Sequence, residues 1–196
     1  MEDLVRLTYN APVVLTFVLA AAAIMVADVA LGGTLTATLF SSPPVLSLSP
    51  LTIVRYGAHA LGHAGWDHLI GNAMLLLLLG PIVEEKYGSG RLLLMIVITA
   101  FATGIGNALF FSAGVLGASG IVFMLIALAS LTNIRAGEIP LTFVAVVLAY
   151  GGQEILHALR DDQISQFAHL FGGTCGATFG FLTAPTTRTP TPPRVE

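Results

Sequence analysis

From Ala11 to Leu31 the chain carries one ionisable side chain, Asp28, and otherwise only apolar residues and a lone threonine. About 20 apolar residues suffice for a helix to cross the hydrocarbon of a bilayer. In lipid the backbone must satisfy its polar groups within the segment, so such a run is helical. The rest of the sequence repeats the pattern. Only 10% of its 196 residues are charged and 55% are hydrophobic, against roughly 25% charged in soluble domains. A soluble globular fold is excluded, and the apolar content excludes a disordered chain. No run alternates with period two, as a membrane barrel requires. The fold class is therefore an all-α polytopic membrane protein. The net charge of −3 without a basic run excludes nucleic acid as a partner, leaving the lipid bilayer. The single cysteine, Cys175, excludes an intramolecular disulfide.

Six spans are predicted. They cover residues 11–31, about 68–83, 92 to about 109, 119–132, a fifth from Pro140 that weakens by Gln153 and Glu154, and 167–184. A Gly-, Pro-, Ser- and Thr-rich segment from 32 to about 49 is too polar to span and reads as a structured loop. The polar stretch from Glu84 to Arg91 closes the second span, and a polar loop lies around Arg160 to Gln163. Residues 1–10 form an N-terminal extension without the basic start of a cleavable signal peptide. Residues 185–196 are a Thr/Pro-rich tail that reads as disordered. The membrane domain is thus 11–184.

Basic residues set the orientation. Arg6, Lys86, Arg91, Arg135, Arg188 and Arg194 fall on one side, Arg55 and Arg160 on the other, which puts both termini in the cytoplasm. The even spans then start at the outer face. His68 precedes Glu84, Ser119 precedes Arg135 and His169 precedes Pro185, each by 16 residues. At the rise of an α-helix, all three sit roughly 24 Å above the inner boundary. Polar groups at that depth are costly unless they face one another or water. One water-filled site open to the outer face meets the need.

The helix faces point the same way. His169, Gly172, Gly173, Gly176 and Gly180 form one stripe on the last span. The fourth span opens with the equally small Gly117-Ala118-Ser119-Gly120. Small residues let helix backbones approach closely, which would bring Ser119 beside His169, as a nucleophile and its base require. His68 and Asn72 share a face, with Asp67 placed to cap their helix. Imidazole and carboxamide N–H groups are donors suited to an oxyanion, and the Ser119 backbone N–H is a third.

Other polar residues have plainer readings. His59 and His63 stand at the spacing of a zinc-chelating pair, but no carboxylate or cysteine joins them at ligand spacing, so no metal is expected. Asp28 reads as interfacial, Cys175 as a packing residue, and Glu154, Asp161 and Asp162 as a solvated rim.

The motifs, in order, are Arg55-Tyr56, His59, His63, His68-Leu69-Ile70-Gly71-Asn72, Glu85-Lys86 with Gly88-Ser89-Gly90, Gly117-Ala118-Ser119-Gly120, and Ala168-His169 with Gly172 and Gly176. Over roughly 55–181 the sequence resembles the rhomboid family of intramembrane serine proteases. The resemblance implies a six-helix bundle, a re-entrant first loop, a fifth-span gate, and structural roles for His59 and His63. It implies a Ser119–His169 dyad without an acid, with His68 and Asn72 as oxyanion donors and Gly117, Gly120, Phe123, Gly172 and Gly176 in support. No cofactor is implied. The partners implied are single-span membrane proteins cut near the outer face, and the location is a prokaryotic cell membrane. The sequence departs from the family at Val54, where tryptophan is frequent, and at Phe123, where tyrosine is frequent. Phenylalanine can stack on His169 but cannot hydrogen-bond. Two other functions compete: a non-catalytic rhomboid-like protein that binds membrane helices, and a small transporter. Ser119 and His169 are both present, against the first; no broken helices or paired repeats are evident, against the second.

Overall fold

The computed structural model describes residues 8–131, 141–146, 148 and 163–183. Within them the chain is helical, and the only β-type pairing is an isolated bridge between Ser42 and Val115. The elements are α1 (Pro12–Ala30), α2 (Leu35–Leu39), α3 (Pro50–Ala58), a 3₁₀ turn (His59–Leu61), α4 (Trp66–Tyr87), α5 (Ser89–Phe110), α6 (Ser119–Leu131), α7 (Leu141–Val146) and α8 (Gln163–Leu182). Among the described residues α1, α4 and α5 are long and apolar enough to cross a membrane. The N-terminal residues 1–7, most of the predicted fifth span, the Arg160–Gln163 loop apart from Gln163, and the tail from 184 lie outside the described residues. So do Arg6, Arg135, Arg160, Arg188 and Arg194 of the orientation count.

The core is organised around α6. Gly120, Ile121, Val122 and every residue from Met124 to Leu128 are buried. A helix apolar on all sides belongs in the centre of a bundle. Its neighbours present one stripe each. On α5 the buried side chains Leu92, Met95, Ile96, Thr99, Ala100, Thr103 and Asn107 follow the helical repeat, while Leu93, Leu94, Val97 and Ile98 are exposed. On α1 the buried set is Val14, Ala21 and Met25, and Leu19, Val26 and Val29 are exposed. Exposed leucines and valines of this kind suit contact with lipid rather than water.

Two expectations change here. The polar stretch from Glu84 is not a loop: α4 continues to Tyr87 and α5 begins at Ser89, with Gly88 at φ +84° between them. Glu84 is buried because it has work inside. Its carboxylate accepts the Val13 and Val14 amides at 3.0 and 3.1 Å and the Ser89 hydroxyl at 2.7 Å. It therefore caps the start of α1, where helix N–H groups lack partners of their own. The segment after α1 is structured, as expected, and carries the short helices α2 and α3; the second change concerns Asp28 at its start. Asp28 is not merely interfacial: its carboxylate takes the Thr36 amide at 2.7 Å and anchors α2. The Arg55 Nε donates to the Ser41 carbonyl at 2.7 Å, and the Tyr56 hydroxyl donates to Val45 O while accepting the Ser47 amide.

Replacing Glu84 with glutamine should destabilise the protein by about 2 kcal/mol, since charge-assisted hydrogen bonds are worth roughly 1.5–3 kcal/mol each and glutamine keeps one acceptor. Thermal unfolding in detergent reads this as a lowered Tm. An unchanged Tm would mean that the α1 cap contributes nothing.

Candidate active site

The site is built at the start of α6, and two histidines hold the turn that leads into it. The Gly117 amide donates to the His59 carbonyl at 2.9 Å. The next amide, that of Ala118, donates to His63 Nε2 at 3.4 Å. An acceptor Nε2 leaves the His63 proton on Nδ1, which faces the Leu61 carbonyl at 3.3 Å. His59 Nε2 in turn reaches the Ala100 carbonyl at 3.0 Å and Thr103 Oγ1 at 3.2 Å, tying the turn to α5. Gly117 is needed twice over. Its φ of +111° disfavours any side chain, and a Cβ there would stand 2.6 Å from the His68 ring.

Both turn-holding histidines lie between the long spans, outside them. Burial lowers His59 to about 4, against the opposing pull of the Ala100 carbonyl. Burial, helped by the charge of His68, lowers His63 to about 4. The unfolded chain takes up these protons near 6.5. The stabilisation is therefore complete above pH 6.5 and is lost as pH falls towards 4, by about 3 kcal/mol for His59 and less for the more solvent-screened His63. Tm measured from pH 7.5 down to 4 should drop along that window, and His63→Gln should have a shallower slope. Parallel slopes would contradict the His63 contribution.

The close approach of α6 and α8 is the most extensive helix contact among the described residues. A methyl group on Gly172 would overlap the Gly120 carbonyl, one on Gly176 the Met124 carbonyl, and one on Gly180 the Leu131 side chain. Gly173, expected in the same stripe, has no described atom within 4 Å of a Cβ placed on it, because the fourth position turns past the seam. Phe123 and His169 stack across the seam with ring centroids 4.3 Å apart and planes 7° apart. Cys175 packs against the main core beside α6, as a small packing residue would.

On the other side of α6, α4 contributes His68 and Asn72. The Asn72 amide nitrogen donates to the His68 carbonyl at 3.0 Å, which fixes its side chain and leaves its second N–H without a partner among the described residues. The His68 ring meets His63 edge-on at a centroid distance of 5.0 Å. Ser119, His169, His68, Asn72 and Phe123 all line one cavity of about 600 Å³, floored by Val122 and bounded by Val115 and Leu116.

The three polar residues stand at different distances from the starts of their helices. Ser119 opens α6 and His68 lies in the first turn of α4, but α8 begins at Gln163, well before His169. The helix α8 thus starts four residues before Phe167, where the apolar run of the sequence begins. Asp67 is another difference. Gly65 occupies the cap position of α4, without a side-chain cap, and Asp67 falls inside the first turn and lines the cavity. A structural role for His59 and His63 was expected, but not that they anchor the 117–118 turn; the signal was their position between the first span and the His68 motif.

A family model for the rhomboid domain matches residues 50–186. The chain belongs to the rhomboid family. It is a multi-pass membrane protein with protease relatives. This rhomboid is 29% identical over 141 residues to the rhomboid protease GlpG of Yersinia pestis (strain Pestoides F), covering 70% of this chain and 51% of that protein. It is 28% identical over 134 residues to the GlpG of Yersinia enterocolitica serotype O:8 / biotype 1B (strain NCTC 13174 / 8081), covering 67% and 48%. The chain spans about half the length of the curated relatives it matches.

Proposed function

We propose that this rhomboid is an active intramembrane serine endopeptidase. The observation that carries the reading is the shared cavity, lined by Ser119, His169, His68 and Asn72 at the seam of α4, α6 and α8. Ser119 Oγ attacks the scissile carbonyl of a substrate helix while His169 takes its proton. The carbonyl electron pair moves onto oxygen, where His68, the second Asn72 N–H and the Ser119 amide stabilise it. Collapse of that intermediate breaks the C–N bond, and His169 returns the proton to the leaving amine. Water then attacks the acyl-enzyme by the same route and frees Ser119. No cofactor enters. Gly117 leaves room for the His68 ring, Phe123 braces His169, and Gly120, Gly172 and Gly176 set the α6–α8 distance.

The membrane arrangement follows from the same reading. The domain covers 11–184, with six spans between an N-terminal extension and a C-terminal tail, both cytoplasmic, in a bacterial cell membrane. Lys86 and Arg91 lie at the junction of α4 and α5, the end of the bundle where Glu84 caps α1. The cavity lies at the opposite end of α4, towards the outer face. The exposed Leu48, Leu51 and Val54 around α3 suit a first loop resting in lipid. Substrates are single-span membrane proteins, cut within their outer one or two turns, where water can satisfy the backbone groups that unwinding frees.

The test is incubation of the pure protein with tagged single-span substrates that differ only in where a Gly pair weakens the helix. A pair in the outer third should give fast cleavage there, by mass spectrometry of the products, and a pair in the inner third much slower cleavage. The Ser119→Ala protein should give none. Cutting near the cytoplasmic end would contradict the orientation, and no cutting of any substrate would leave a helix-binding rhomboid.

A further inference from the structure

The cavity that holds Ser119 and His169 contains one carboxylate among its described lining residues. Asp67 stands in the first turn of α4, next to His68 in the chain, with its side chain exposed to the cavity. None of the described residues gives it a hydrogen bond or an ion pair. The helix does not depend on it as a cap, because Gly65 holds that position. An acid in a first turn gains a little from the helix dipole, but that benefit does not require it to face the cavity. The other lining side chains are uncharged apart from His68 and His169, and a general base acts in its neutral form. In a cleft lined largely by apolar side chains, a carboxylate without a partner among the described residues focuses a negative potential on whatever enters.

We propose that Asp67 is a specificity-determining residue that selects substrates carrying lysine or arginine within about three residues of the scissile bond. The inference rests on the protease reading of the same cavity. An extended substrate strand advances about 3.3 Å per residue, and lysine and arginine stems are long enough to follow the cavity wall while the carbonyl sits against Ser119. Their cationic heads find a counter-ion in Asp67, where they would otherwise have to reach for the membrane surface. Lysine and arginine share this chemistry; glutamate at the same position meets repulsion.

The experiment scans one single-span substrate with Lys, Gln or Glu, one position at a time, from three residues before to three after the scissile bond. It measures kcat/KM for the full chain in detergent as wild type, Asp67→Asn and Asp67→Lys. At one or two positions the wild type should cut the Lys substrate about tenfold faster than the Gln substrate. Surface ion pairs give only a few-fold, and a partly enclosed pair gives more. Asp67→Asn should bring the Lys-to-Gln ratio close to one, and Asp67→Lys should turn the preference towards Glu. Raising the salt should compress the wild-type ratio. Because every readout is a ratio between substrates, a general loss of turnover in a variant does not mimic the effect. A wild type that shows no charge preference at any position overturns the proposal even if neither variant folds. So does a preference that survives unchanged in Asp67→Asn. If the wild type leaves the Gln parent uncut, the protease reading falls and this proposal with it; cleavage of the parent without charge preference removes Asp67 alone.

Discussion

Alanine in place of Ser119 is expected to reduce cleavage to background, a loss of at least about 10⁴-fold, and alanine in place of His169 to do the same. In the proposed mechanism the two groups work as a unit. Without the serine no acyl-enzyme forms, and without the imidazole the hydroxyl keeps its proton and is a poor nucleophile at neutral pH. The double variant should therefore be no slower than either single one. Neither side chain fills the core: both are partly exposed on the cavity wall. Tm should stay near that of the wild type, which separates loss of chemistry from loss of fold. A fluorophosphonate probe makes the roles distinct. It should label the wild type at Ser119 and should fail on His169→Ala, where the serine is present without its base. Equal labelling of the two would remove His169 as the base. Phe123 gives a finer reading of the same pair. Its ring lies flat against His169, so Phe123→Leu should slow labelling by loosening the imidazole while leaving the serine in place.

How much of this could be read from the chain differs by physical cause. The apolar runs translate directly into α1, α4 and α5, because lipid leaves the backbone no alternative to helix. The meeting of Ser119 and His169 in one cavity was legible for a related reason: Gly172, Gly176 and Gly180 recur with helical spacing, and a stripe without side chains is a statement about how near a neighbour comes. Gly173 broke that reading, since small size alone does not say which side of a stripe carries the contact. The roles of Glu84 and Asp28 were not legible. Each carboxylate satisfies backbone amides far away or in an irregular segment, and local spacing encodes neither partnership. The same holds for the 117–118 turn. His59 and His63 act on it through one backbone carbonyl and one ring nitrogen, and the pairing exists only after the loop has folded onto α5. Asp67 was misplaced by two residues, because Asp is also a favoured cap residue; Gly65 holds the cap, and Asp67 lines the cavity from the first turn.

Substitution at Gly172 should be the most damaging change outside the proposed catalytic pair, and Gly173 beside it supplies the control. A Cβ on Gly172 would meet the Gly120 backbone carbonyl, with the Gly120 Cα 2.8 Å away. That obstacle is backbone in the middle of the seam and cannot turn aside as a flexible side chain would. The helices must separate to admit it. His169 rides on α8 less than one turn before Gly172, so any retreat of α8 carries the imidazole away from Ser119 and breaks its stack with Phe123. A misplacement of about 1 Å at a reacting group can cost on the order of 10²-fold in rate. Gly172→Ala should lose that much, and Gly172→Val more, with Tm lowered as the seam opens. Gly173→Ala adds the same methyl group one residue later, where nothing described lies within 4 Å. It should keep the wild-type rate and gain up to about 1 kcal/mol from better helix propensity. The two alanine variants differ by one position and by nothing in composition, so their labelling rates and Tm values isolate the approach of the two backbones. Equal labelling of Gly172→Ala and Gly173→Ala would mean that the α6–α8 seam does not control the distance between serine and histidine.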